Sequence, residues 1–266
     1  MKGAIFYHSS SGNTRLVCRF LIHNLKSVPF DLIDIVQQDA PHPGAYDVVG
    51  FATWTYHLGL PPRFHQFLQA LPAQPQQPAF LLSTFGMMPG RALWQMERLL
   101  TAKGWLVLGG HSLWVPENYP PFIVKGWASA EAPAPKELDQ FRSFVAWLDQ
   151  QMIAICGRQA PERAPIKVGL LNRLLPVSTP QKARRKMGCL HVDASLCDGC
   201  GLCQAACQYE AIAMSTTPVF RPDRCHACWA CFNHCPQRAI FTEKIRGVGQ
   251  YAAPSPTFVA KLTIPV

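Results

Sequence analysis

Eight of the chain's 11 cysteines fall between Cys197 and Cys235, and their spacing is regular. The first group reads Cys197-x2-Cys200-x2-Cys203-x3-Cys207, and the second repeats it as Cys225-x2-Cys228-x2-Cys231-x3-Cys235. Each cysteine has a twin 28 residues later, and Ala211-Ile212 recur as Ala239-Ile240 at the same offset, so the region is a duplicated half-domain. Sets of four thiolates suit either zinc or an iron-sulfur cube. A loop of x2 gaps wraps three thiolates around three iron atoms of one cube, and the fourth cysteine, starting the following helix, points to the other cube. This predicts one 4Fe-4S cluster on Cys197, Cys200, Cys203 and Cys235, and a second on Cys225, Cys228, Cys231 and Cys207. The unbroken three-cysteine loop plus x3-Cys, occurring twice, favours two such clusters over two zinc sites.

A second candidate site lies near the N-terminus. The apolar run Ala4 to His8 ends in Ser9-Ser10-Ser11-Gly12-Asn13-Thr14, and Leu16, Val17, Phe20, Leu21 and Leu25 follow at helical spacing. That is strand, small-hydroxyl loop, helix. Hydroxyls and backbone N–H groups at a helix N-terminus hold a phosphate through direct bonds and the positive end of the dipole. The loop lacks the lysine of a nucleotide P-loop, which suits a phosphate that is bound and not transferred. The same residues would also serve simply to cap the helix.

The elements that must position these groups follow from periodicity. Phe30 to Ile35, Val48 to Ala52, Ala79 to Thr84 and Leu106 to Leu113 read as further buried strands. Helical patterns separate them at Phe64-Phe67-Leu68-Leu71 and Leu93-Met96-Leu100, and a closing helix carries the stripe Leu138, Phe141, Val145, Leu148, Met152 and Ile155. Five strands alternating with helices predict an α/β fold with a doubly wound parallel sheet, which binds ligands at the carboxyl ends of its strands. The hydroxyl loop, Thr53-Trp54-Thr55-Tyr56-His57, and Thr84-Phe85-Gly86-Met87-Met88-Pro89-Gly90 all lie at such ends.

Residues 1–156 resemble flavodoxin, through the opening Ile5-Phe6-Tyr7-x-Ser9-x-x-Gly12-x-Thr14, with Cys18 in place of a usual helix alanine. The resemblance implies an FMN site, with Ser9, Ser10, Ser11, Gly12, Asn13 and Thr14 around its phosphate. It places Thr53, Trp54, Thr55 and Tyr56 in the loop whose aromatic ring stacks on the isoalloxazine, and Thr84, Phe85 and Gly86 on the other side. Residues 189–246 resemble the bacterial two-cluster ferredoxins, in a small α+β domain, with Gln208 where that family usually has proline. Trp229 is expected to shield its cluster from water, and His226, His234 and His57 to be exposed. The whole chain resembles fused flavodoxin and two-cluster ferredoxin proteins of bacteria and archaea. That implies an electron carrier between FMN and two 4Fe-4S clusters, converting between one- and two-electron steps, with a protein electron donor and acceptor. The alternative is a flavin-dependent reductase of a small organic substrate, its pocket roofed by the ferredoxin-like domain or by Pro116-Glu117-Asn118-Tyr119-Pro120-Pro121. No Gly-x-Gly-x-x-Gly fingerprint is present, so a protein and not a nicotinamide is the expected donor.

Composition bounds the rest. The chain has 266 residues, 48% apolar and 15% charged, which excludes a disordered chain or a coiled coil. Its net charge of +9 is concentrated in residues 157–188, where 8 Lys/Arg stand against 1 Asp/Glu. With four prolines this stretch reads as a basic linker between the two units, and residues 247–266 as a tail. A minor alternative takes the run Lys182-Ala183-Arg184-Arg185-Lys186 as a nucleic-acid or membrane contact, but it lacks interleaved aromatics and a recognisable reading fold, so no nucleic-acid partner is expected. The apolar start is too short for a secretory signal and no uninterrupted apolar run would span a membrane, which predicts a cytoplasmic protein with reduced thiols. Cys156 and Cys189 are expected to be buried or inert, and the alternation in Thr257-Phe258-Val259 and Leu262-Thr263-Ile264 suggests an edge strand.

Overall fold

The computed structural model describes residues 1–36 and 41–263. The first unit runs β1 (Gly3–Tyr7), α1 (Asn13–Asn24), β2 (Phe30–Asp34), β3 (Val48–Trp54), α2 (Pro62–Ala70), β4 (Pro78–Phe85), α3 (Ala92–Thr101), β5 (Leu106–Trp114), α4 (Pro120–Val124) and α5 (Pro135–Cys156). Its five strands form one parallel sheet in the order β2-β1-β3-β4-β5. The chain reverses direction across the sheet between β1 and β3, the switch point where such sheets open a crevice. This is the flavodoxin-like doubly wound topology. One face packs α1 and α5 through Val17, Leu21, Phe141, Val145, Leu148 and Met152. The other packs α2 and α3 through Phe64, Leu68, Leu93 and Met96.

The remainder runs α6 (Leu170–Leu174), α7 (Pro180–Met187), β6 (His191–Val192), α8 (Leu202–Ala205), β7 (Ile212–Met214), β8 (Pro218–Phe220), α9 (Ala230–Asn233), β9 (Ile240–Phe241) and α10 (Pro256–Lys261). Two small antiparallel pairs, β6 with β9 and β7 with β8, frame the cysteine-rich unit. The 28-residue repeat is visible in the backbone. Gly199, Gly201 and Glu210 have φ of 72°, 74° and 53°, and their twins Ala227, Trp229 and Arg238 have 52°, 63° and 51°. The amide of Asp193 donates to the Ala239 carbonyl at 2.8 Å, and that of Arg221 to Ala211 at 2.8 Å.

The structure adds to or departs from the sequence reading at several places. The C-terminal residues form helix α10 instead of an edge strand. Ser255 caps it by accepting from the Phe258 amide at 3.2 Å, and Pro256 stands in its first turn. Phe258, fully buried, joins the α1/α5 face of the first unit; Ile264 lies outside the described residues. Cys156 and Cys189 are both exposed, which removes burial from the expectation that they are buried or inert. The basic stretch carries two helices and reaches both units. The Ala164 amide donates to Leu108 on β5 at 2.7 Å, Ile166 packs in the α2/α3 core, and Ala183 and Met187 are buried in the cysteine-rich core.

Candidate functional site: a shared crevice between two units

A cavity of about 490 Å³ opens at the carboxyl ends of β1, β3 and β4. Ser9, Ser10, Ser11, Asn13 and Thr14 line it from the first loop, Trp54, Thr55 and Tyr56 from the second, and Thr84, Phe85 and Gly86 from the third. Two of the expected residues do not face it. β3 runs two residues further than its apolar run suggests, so Thr53 is paired in the sheet opposite Ser83 and fully buried. Gly12 does not line the cavity; at φ 94° it is the N-cap of α1, which has no capping side chain. The first amides of α1 are thus left for a ligand. Thr14 and Thr84 share a hydroxyl hydrogen bond at 2.9 Å, tying the first and third loops together.

The second loop is a tight turn. Tyr56 and Gly59 exchange backbone hydrogen bonds at 2.9 Å each, and His57 and Leu58 between them take φ of 44° and 72°. Positive φ at both central residues is what a two-residue type I′ turn requires, at a steric cost for side-chain-bearing residues. Gly90 accommodates it by close approach, since a Cβ there would stand 2.5 Å from the Leu58 carbonyl oxygen. His57 is half-buried within the cavity, contrary to its expected exposure. Burial, reinforced by the Lys186 charge, pushes its pKa down to about 4.

Sequence reasoning did not single out the individual groups supplied by the loop after β5. Glu117 accepts from the amides of Asn118 at 2.9 Å and Tyr119 at 3.0 Å, and lies so close to Gly86 that a Cβ there would be 2.3 Å from its Oε2. Burial raises its pKa, opposed by those amides. Asn118 donates to Ser11 Oγ at 2.8 Å, and the Asn13 amide donates to the Pro116 carbonyl at 2.9 Å.

The cysteines divide between two further cavities. Cys197, Cys200, Cys203 and Cys235 line one, in which Cys200 is exposed. Cys207, Cys225, Cys228 and Cys231 line the other, a cavity of about 630 Å³ in which Cys231 is buried and Trp229 is 3% exposed. These are called here the outer and inner cysteine sites. Among the described residues no three His, Cys, Asp or Glu side chains converge tightly enough for a single ion; the thiols surround a space. Backbone amides aim at the sulfurs, Ala211 at Cys207 and Ala239 at Cys235, each at 3.3 Å, and Ala227 at Cys225 at 3.4 Å. Such donors favour thiolates and tune a cluster bound through them. Burial pushes the Cys228 thiol up to about 12 and raises Cys225 and Cys231 as well, an opposing effect that a bound cation centre would overcome. The residues fit 4Fe-4S clusters.

The crevice and the inner site share a wall, because Ala227, Cys228 and Trp229 line both. The Tyr56 hydroxyl donates to the His226 carbonyl across the same boundary, and Tyr209 stacks on the His226 ring with centroids 4.0 Å apart. His226 and His234 are therefore half-buried between the units and not loop-exposed. The crevice also fits a flavin. Trp54 Nε1 is buried without a partner on its wall, and the hydroxyl loop that leads into the uncapped N-terminus of α1 lines it as well.

A family model described as a 4Fe-4S binding domain matches residues 190–213 and 218–241. Among solved structures, the chain is similar to a flavodoxin from the domain Archaea, at 14% identity, covering 57% of this chain and 99% of that one, with a TM-score of 0.43. Oxidised Flavodoxin 2 from Bacillus cereus is similar at 18% identity, covering 55% and 96%, with a TM-score of 0.43. The rubredoxin oxygen:oxidoreductase from the anaerobe Desulfovibrio gigas is similar at 16% identity over 57% of this chain and 36% of that one, with a TM-score of 0.44. No curated protein matches the sequence. No helix among the described residues is long and apolar enough to cross a membrane. The chain joins a unit of flavodoxin-like topology to a unit matched by the 4Fe-4S binding domain model.

Proposed function

We propose that the chain carries electrons between FMN in the crevice and two 4Fe-4S clusters in the outer and inner cysteine sites, converting between one- and two-electron steps. The observation that carries this reading is the shared wall of Ala227, Cys228 and Trp229. When bound, FMN exchanges one or two electrons and each cluster exchanges one. The protein supplies position and environment. Ser9 to Thr14 would hold the phosphate, Trp54 and Tyr56 would flank the ring, and buried Trp229 keeps water from the inner site. Exposed Cys200 gives the outer site the open side on which a one-electron protein carrier would dock.

A second reading, reduction of a small organic substrate at the flavin, is favoured by Glu117, His57 and Lys186 on the crevice wall. Anaerobic reconstitution with FMN, iron and sulfide, followed by redox titration, separates the readings. The carrier reading expects one FMN and about eight iron atoms per chain, with flavin and clusters equilibrating and no acceleration of flavin oxidation by a panel of unsaturated metabolites. Stoichiometric zinc without iron would overturn the cluster half, and failure to retain flavin under any condition would overturn the FMN half.

A further inference from the structure

Gln208 stands where the ferredoxin-like sequences usually carry proline, and the structure gives that amide a partner in the other unit. Its Oε1 accepts from Nε2 of His8, and its Nε2 donates to the Ser9 carbonyl at 3.4 Å. His8 is fully buried, burial lowers its pKa, and its other ring nitrogen has no partner, so the contact with Gln208 is the polar contact its ring makes. Next to it, the His234 ring bonds the Ser10 carbonyl at 3.1 Å. The Tyr251 hydroxyl donates to Asn13 Oδ1 at 2.8 Å, and the Pro254 ring lies against Gly12.

These contacts close into a circuit. Asn233 Nδ2 donates to the Asn118 carbonyl at 3.0 Å, and its Oδ1 accepts from the Tyr251 amide at 3.2 Å. Asn118 in turn holds Ser11, and Asn13 holds Pro116. The ferredoxin-like unit and the segment after it thereby engage the hydroxyl loop from Ser9 to Asn13. They take the outward carbonyls of Ser9 and Ser10, and a loop whose carbonyls are held outward presents its amides inward. Without these two contacts the half-buried carbonyls of Ser9 and Ser10 would lose their partners in the other unit.

We infer that Gln208, His234 and Tyr251 are positioning residues that latch the ferredoxin-like unit onto the phosphate loop, so that the flavin enters and leaves only when the two units part. This rests on the flavin reading above. It also accounts for the loss of proline at 208, since proline has no side-chain amide to bridge the units.

The test compares the reconstituted holoprotein with Gln208→Pro, Tyr251→Phe and the double variant. Proline at 208 restores the residue usual after that cysteine, and Tyr251→Phe removes only a hydroxyl whose partners are Asn13 and the Ser255 amide, so iron content and the cluster EPR signals should be unchanged. FMN release into excess apo-acceptor should quicken about tenfold in the double variant, the equivalent of about 1.4 kcal/mol, and trypsin should cut within residues 157–188 sooner. Unchanged flavin release together with unchanged proteolysis would overturn the latch. If the wild-type chain binds no FMN, the flavin reading fails, and the proteolysis arm alone decides the latch.

Discussion

Gly12 leads into α1 at φ 94°, and a Cβ added there would stand 3.0 Å from Cδ of Pro254. Gly12→Ala is therefore strained twice, by its own backbone and by the segment after the ferredoxin-like unit. Left-handed backbone costs an L-residue about 1–2 kcal/mol, and urea unfolding should report a loss of that order. FMN titration should show weaker binding, because α1 would no longer start in the same place. Single residues were legible where chemistry is encoded by short spacing. The cysteine groups and the run Ser9 to Thr14 are of that kind, and the structure gathers the cysteines and, Gly12 apart, the run around cavities. Gln208, Asn233 and Tyr251 were not legible as site residues, because each acts across roughly 100 to 240 positions of sequence. Trp229 shows a subtler limit. Its bulk was readable as cover, but its φ of 63° was not, since the twin position holds Gly201. The second half accepts that strain where a tryptophan forms the wall between crevice and inner site.

Elements were legible where one period ran long enough. The stripe from Leu138 to Met152 gave α5, and its Phe141 and Phe144 rings lie 5.4 Å from the His111 ring on β5. That contact makes His111 a pH-sensitive element of the sheet. Burial pushes its pKa down to about 4 from the usual 6.5, so between those values the unfolded chain binds more protons than the folded one. The stabilising effect of keeping the ring neutral is complete above pH 6.5 and is lost as pH falls toward 4. His111→Phe should remove that share of acid sensitivity, at most about 3 kcal/mol and less for the ring's partial exposure. Urea midpoints at pH 7 and pH 4.5 should then differ less in the variant than in the wild type. An unchanged difference would place the acid response elsewhere, for instance at His57, whose shift has the same sign and size. The element ends were less legible. β3 continues through Thr53 and Trp54 because neighbour β4 pairs with it that far, a tertiary fact absent from the local run. The α10 segment was misread because three alternating residues outweighed a better signal, serine followed by proline at a helix start.

At the scale of the molecule, the basic stretch from 157 to 188 is where composition was most suggestive and least complete. Its prolines and charge gave separation of two units, but not its route along β5 or the burial of Ala183 and Met187. That route puts the charge between the candidate cofactor sites. Lys186 lines the crevice, while Arg184 and Arg185 line the inner cysteine site. Arg184 also donates to the Cys225 carbonyl at 2.7 Å, and Lys244 satisfies the carbonyls of Arg185 and Lys186 at 3.2 and 2.6 Å. The net charge of +9 treats every cysteine as neutral. With two proposed clusters and an FMN phosphate bound, it falls to roughly +3, since each oxidised cube with its thiolates carries about −2 and the phosphate about −2. With those groups bound, the stretch would offset negative charge in the crevice and the inner site, a different use of basicity from contact with nucleic acid. Adding an electron to the inner cluster adds negative charge beside Arg184, so the guanidinium favours the reduced form. Arg184→Gln should lower the inner midpoint potential by tens of millivolts, on the order expected for one charge at an effective dielectric near 20. The outer midpoint should stay in place, because Arg184 does not line that site. EPR-monitored titration of the two cluster signals reads both at once, and an equal shift in each, or none in either, would remove Arg184 from any role in setting the inner potential.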